Sequence, residues 1–156
     1  MLLIGHILIA ILFFLLTRSH FLQFGVNEVI VFLIVLFAAI LPDIDERNSR
    51  INKWSGAIGR IVVLIFKHRG LLHSLLFSGV IALLIGTFWH QAYGLAFILG
   101  YFAHVFADGI TPMGVALLYP LPWKVSGPLR VGSVGEKLLT ALLFFIILIL
   151  TFQIYF

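Results

Sequence analysis

The sequence contains no cysteine, which excludes disulfide bridges, iron–sulfur clusters and thiolate zinc sites and leaves the redox compartment unread. Charge is also scarce. Asp, Glu, Lys and Arg make up 10% of the 156 residues, where a soluble domain carries about 25%. No repeat, low-complexity tract or linker interrupts the chain, and the longest polar stretch is Asp43 to Ser55. These scarcities exclude a soluble globular protein, a disordered chain and a secreted scaffold. Hydrophobic residues fill 62% of the chain and mean hydropathy is +1.18, so the sequence describes one integral-membrane domain over residues 1–156. The net charge of +4 reads as the basic-loop bias of a membrane protein. No aromatic–basic stripe marks a nucleic-acid groove, and no nucleic-acid partner is expected.

A spanning helix needs about 20 mostly apolar residues. Five runs qualify: Met1 to about Thr17, Val26 to Leu41, Gly70 to Phe88, Ala92 to Ala107, and Lys137 to Phe156. They predict an all-α, polytopic membrane bundle of about five transmembrane helices. A shorter segment at about 57–67 is expected to lie along the interface as an amphipathic helix, with Arg60 and Lys67 toward the headgroups. The first run has no preceding basic residue and no A-x-A-like cleavage site, so it is read as a mature helix and not as a signal peptide.

Five crossings would gather Arg47, Arg50, Lys53, Arg60, Lys67, Arg69, Lys124, Arg130 and Lys137 on one side and leave Arg18 alone on the other. The positive-inside rule then puts the N-terminus in the cytoplasm and the C-terminus outside. On that topology His6, Asp43, His73, His104 and Asp108 fall in a single layer at the cytoplasmic ends of four helices. Asp45, His68 and Arg69 adjoin it, while His20 and His90 fall on the opposite side. Ionisable groups at such depth are costly and need a reason.

His104 and Asp108 are four apart and share a helix face, a spacing that suits a metal ion or a simple His–Asp hydrogen bond. His68 and His73 are five apart, and Gly70 could break the turn so that both approach one centre. Asp43 and Asp45 could instead pair with Arg47 and Arg50 in a solvated loop. Ser133-x-x-Glu136 before the last run is a capping-box pattern, and Thr111, Ser74 and, as the alternative to capping, Glu136 are candidates to support ligands from behind. Arg69 suits either a lipid phosphate or a substrate phosphate clamped bidentately. Taken together, His6, Asp43, His68, His73, His104 and Asp108 fit nitrogen and oxygen coordination of a divalent metal, zinc above others, with one to three ions.

Three motifs carry a family resemblance: L-P-D-I-D at Leu41–Asp45, H-R-G-L-L-H-S at His68–Ser74, and G-Y-F-A-H-V-F-A-D-G-I-T-P-M-G at Gly100–Gly114. With His6 and G-S-V-G-E at Gly132–Glu136, the chain resembles the YdjM-like family of inner-membrane-associated proteins, for which metal-dependent hydrolase activity is inferred. That family is distantly similar to zinc-dependent phospholipases C and the nucleases related to them, which cleave phosphoesters at His/Asp-rich zinc sites. The resemblance implies the same six residues as metal ligands. It departs at Asp108, where the zinc phospholipases carry glutamate in H-x-x-x-E.

The expected function is a membrane-embedded hydrolase at the cytoplasmic face of the inner membrane, using metal-activated water on a lipid-like phosphoester. Asp43 or Asp45 would act as base and Arg69 would stabilise phosphoryl charge. Membrane lipids are the expected partners. A metal or proton transporter built on the same cluster, or a metal-stabilised scaffold, are the competing classes, and a transporter would place its site nearer the midplane.

Overall fold

The computed structural model describes residues 2–66 and 69–155, and among them the chain is mostly helical. The first helix, α1, runs Leu3–Leu22. The Asn27 side chain accepts hydrogen bonds from the Val29 and Ile30 amides at 2.9 and 3.3 Å, capping α2 (Glu28–Ile40). Pro42 brings no amide hydrogen to the ladder, and Leu41–Asp45 tighten into a 3-10 turn. Two short helices follow, α3 (Arg50–Trp54) and α4 (Ala57–Ile65). The Asn52 amide ties them to the 3-10 turn by donating to the carbonyls of Ile44 at 2.6 Å and Gly59 at 2.8 Å.

A second 3-10 turn, Leu71–His73, leads into α5 (Leu75–Phe88), whose first turn is capped by Ser74. Next comes α6 (Gln91–Gly109), capped by the His90 ring accepting from the Ala92 amide at 3.2 Å. Strands β1 (Val115–Ala116) and β2 (Lys124–Val125) form a small antiparallel ribbon. The last helix, α7, spans Val134–Tyr155.

The central element is α6, which packs on α1, α2 and α5 and buries most of its surface, leaving Leu95, Phe102 and Phe106 exposed along one stripe. Two glycines allow that proximity. A Cβ on Gly94 would lie 2.3 Å from the Ala82 carbonyl oxygen of α5, and one on Gly100 would lie 2.1 Å from the Val35 carbonyl oxygen of α2. Ile9 and Phe14 of α1, Val31 and Val35 of α2, and Ala96 and Ala103 of α6 fill the core between them.

The expected five-span bundle is not what the structure contains. Among the described residues two helices, α1 and α7, are long and apolar enough to cross a membrane. At 13 and 14 residues, α2 and α5 fall short of the roughly 20 that a crossing needs. The 19 residues of α6 are diluted by glycine, alanine and the polar His104 and Asp108. The ribbon is a small departure from an all-α chain. Without five crossings, the grouping of nine basic residues opposite Arg18 no longer fixes which side each terminus occupies. The segment expected to lie along the interface is helical over Ala57–Ile65, while Lys67 lies outside the described residues.

The two long helices run parallel and are tied at both ends. Glu136 accepts from the Leu2 amide at 2.8 Å at one end. At the other, Arg18 donates to Glu28, which also accepts from the Tyr155 hydroxyl at 2.6 Å. Much of α7 is exposed apolar surface, including Leu138, Phe145, Leu148 and Phe152.

Candidate metal centre

Four elements converge where α1 begins. Within it, α1 contributes His6, the 3-10 turn after α2 contributes Asp43 and Asp45, the turn before α5 contributes His73, and α6 contributes His104 and Asp108. His6, Asp45, His73, His104 and Asp108 are buried, and the Asp43 side chain keeps 20% exposure. Two overlapping triads have ligand atoms within 4.8 Å of one another: His6, Asp43 and His104, and His73, His104 and Asp108.

His104 is shared by both triads. Its Nε2 lies 3.2 Å from His73 Nε2, 3.8 Å from Asp43 Oδ1 and 3.9 Å from Asp108 Oδ2. Its Nδ1 is 2.7 Å from the Ala39 carbonyl oxygen. A carbonyl can only accept, so Nδ1 carries the proton and Nε2 of the neutral ring presents a lone pair. Burial holds the imidazole well below its usual pKa, with His6 and His73 pushing the same way, which favours that neutral, ligating form. His73 Nδ1 lies 3.2 Å from Asp45 Oδ2, an ion-pair distance that places a carboxylate behind this ring as well. Carboxylate or carbonyl partners behind a histidine are the usual support for a metal-ligating ring.

The arrangement suits a cation. The Nε2 atoms of His73 and His104 meet at 3.2 Å, a separation that either a shared proton or a cation bound by both rings accommodates. In a tetrahedral zinc site with Zn–N of about 2.0–2.1 Å, ligand nitrogens sit about 3.3 Å apart. Asp108 Oδ2 also lies 3.7 Å from His73 Nε2. His104 is common to both triads, and its Nε2 lies 3.8 Å from Asp43 of one and 3.2 Å from His73 of the other. The His6 ring stacks on that of His104 at 4.1 Å, and its Nε2 is 3.6 Å from Asp108 Oδ1.

Arg69 closes one side. Its backbone is left-handed at φ 58°, uncommon for a residue with a side chain and a feature that gathers at functional sites. The sequence reading put the break in this turn at Gly70, but Arg69 is the left-handed residue. Its guanidinium reaches Asp108 Oδ1 at 3.0 Å and donates to the Gly114 carbonyl at 2.7 Å and to Thr111 Oγ1 at 3.4 Å. Among the described residues its buried Nε has no hydrogen-bond partner. A cavity of about 560 Å³ opens over Asp43, Arg69 and Asp108, with Ile4, Arg50 and Val131 further out.

Of the other residues singled out, Glu136 is a cap. Ser133 Oγ accepts from its amide at 3.3 Å, and its carboxylate holds the Gly132 and Leu2 amides. Ser74 caps α5 and donates to the Tyr119 carbonyl at 3.1 Å. Thr111 donates to the Asp108 carbonyl at 2.8 Å and receives Arg69. His68 lies outside the described residues. His20 sits in the last turn of α1 and His90 caps α6, both away from the cluster. Two supports escaped the sequence reading, the Ala39 carbonyl behind His104 and the Tyr101 hydroxyl that donates to the Leu72 carbonyl beside His73. Neither leaves a local signal.

An apolar helical chain with a buried histidine–aspartate cluster and two helices able to cross a bilayer defines a class of membrane-associated proteins. The chain belongs to the family described as YdjM inner membrane protein, which matches residues 1–156. It is 34% identical over 112 residues to "Inner membrane protein YdjM" of Escherichia coli (strain K12) and to the Shigella flexneri protein of that name. The match covers 66% of this chain and 56% of each relative, so the chain spans little more than half of their length. It is also 30% identical over 106 residues, 66% of either chain, to the Bacillus subtilis (strain 168) "Uncharacterized protein YvsG". No solved structure matches.

Proposed function

We propose that this chain is a metal-dependent hydrolase of the inner membrane that cleaves a phosphoester of a lipid-like substrate. The carrying observation is the pair of Nε2 atoms of His73 and His104, 3.2 Å apart, with Asp108 Oδ2 3.7 Å from the first and 3.9 Å from the second. His73, His104 and Asp108 would hold one zinc-like ion, with Asp43 Oδ1 3.8 Å from the same His104 Nε2 and His6 stacked on that ring. When bound, the ion would supply Lewis acidity and a water deprotonated near neutral pH.

The remaining roles belong to the protein. Asp45, buried against His73, orients that ring and is a poor base because it does not face the cavity. Asp43 is the carboxylate with exposure into the cavity and suits the general base. Arg69, braced by Asp108 and Gly114, places positive charge over the cavity floor where phosphoryl charge develops. The cavity favours an enzyme over a closed scaffold. The site end carries Arg47, Arg50, Lys53, Arg69 and Lys124, whereas Arg18 lies at the other end. The positive-inside rule therefore supports a cytoplasmic site independently of how many helices cross.

The test is metal content and hydrolysis of a phospholipid in mixed micelles by the purified full chain. Wild type and His90→Ala should hold zinc and turn over, and His73→Ala and His104→Ala should lose both. Absence of metal from zinc-replete wild type would sink the reading.

A further inference from the structure

The cavity above the cluster is graded from floor to rim. Asp108, Arg69 and Asp43 at the floor are 2%, 13% and 20% exposed in their side chains. At the rim Ile4 and Val131 are exposed apolar residues at 57% and 53%, and Arg50, also exposed, stands at the start of α3. Ile4 lies in the first turn of α1, a helix able to cross the bilayer. One wall of the cavity is therefore continuous with apolar surface suited to the membrane, and another carries a cation that the cluster does not use.

The charges lining the cavity are those of Asp43, Glu46 and Asp108 against Arg50 and Arg69. Among the described residues these sum to one net negative charge, and a single divalent ion turns the sum to one net positive, which favours an anion. Arg69 at the floor is braced by Asp108 and Gly114, and Arg50 adds a second guanidinium, exposed at the rim, with donors to offer an incoming phosphate.

We propose that this cavity is a subsite for an anionic phosphate amphiphile, with Arg50 gripping the phosphate and the Ile4–Val131 wall taking the chain. The proposal rests on the metal reading above and names its substrate class. Free phosphate and a lipid headgroup share the chemistry that Arg50 recognises, and only the amphiphile uses the apolar wall.

The experiment titrates the zinc-loaded full chain with two non-hydrolysable probes, methylphosphonate and dodecylphosphonate, and reads binding, not turnover. Dodecylphosphonate should bind more than tenfold tighter, since each buried methylene is worth about fourfold. Arg50→Gln should weaken both probes by about tenfold, and Val131→Asp should weaken the dodecyl probe alone. Lys53→Gln, an exposed neighbour on α3, should change neither. Equal affinity for the two probes overturns the amphiphile class, and unchanged binding in Arg50→Gln overturns the role of Arg50. A chain that takes up no zinc fails the metal reading before the titration begins. A zinc-loaded chain that binds the probes yet cleaves no phosphoester fails the hydrolase reading alone.

Discussion

His73 and His104 face one another through their Nε2 atoms at 3.2 Å while their Nδ1 atoms turn away to Asp45 and to the Ala39 carbonyl. One of those supports is a side chain and can be removed without touching a ligand. Asp45→Asn keeps the shape but loses the negative charge 3.2 Å from His73 Nδ1. The expected result is roughly a 10- to 100-fold fall in zinc affinity, measured by chelator competition, with the helical content retained.

The second prediction separates packing at the site from packing away from it. Gly100→Ala drives a methyl group into the Val35 carbonyl, on the helix whose Ala39 carbonyl supports His104. Gly94→Ala makes a similar clash with Ala82 of α5, on a helix that carries no cluster residue. Both should destabilise by about 1–3 kcal/mol, read as a lowered melting temperature. Zinc affinity should fall further in Gly100→Ala than in Gly94→Ala.

Glu136 joins the start of α7 to the start of α1 by holding the Leu2 and Gly132 amides while fully buried. Glu136→Ala strands both donors. The expected loss is about 1.5–3 kcal/mol, the range for hydrogen bonds to a charged group, with Glu136→Gln intermediate. Thermal unfolding of the full chain in detergent checks the order.

The far end offers a pH test. The Arg18 hydrogen bond holds the Glu28 carboxylate below its usual pKa against a smaller opposing effect of burial. A lowered folded pKa means that the unfolded chain takes up the proton first. The stabilisation is therefore present above the ordinary glutamate value of about 4.3 and is lost as pH falls through the folded value. Glu28→Gln should cost roughly 0.2–1 kcal/mol at pH 7, the range of a partly exposed pair. Its melting temperature should converge on wild type in acid below about pH 4. A gap that persists there would show that the contribution is not ionic.

Composition determined the membrane class, because so apolar a chain has no other solvent. The order of apolar runs, with a histidine or aspartate at one end of four of them, also made the convergence of His6, Asp43, His73, His104 and Asp108 legible. That ordering survives even though the crossing count does not, since adjacent helices joined by short turns bring alternate ends together however deep each lies. Tertiary structure alone decided which apolar helices face one another. A run of apolar residues reads the same whether it meets lipid or a neighbour, so α6 passed for a span although glycines at 94 and 100 seat it between α5 and α2. The supports of the site were likewise invisible. The Ala39 carbonyl lies 65 residues from His104, and the Leu2 amide 134 from Glu136, and no local pattern encodes a hydrogen bond made only when the chain closes on itself.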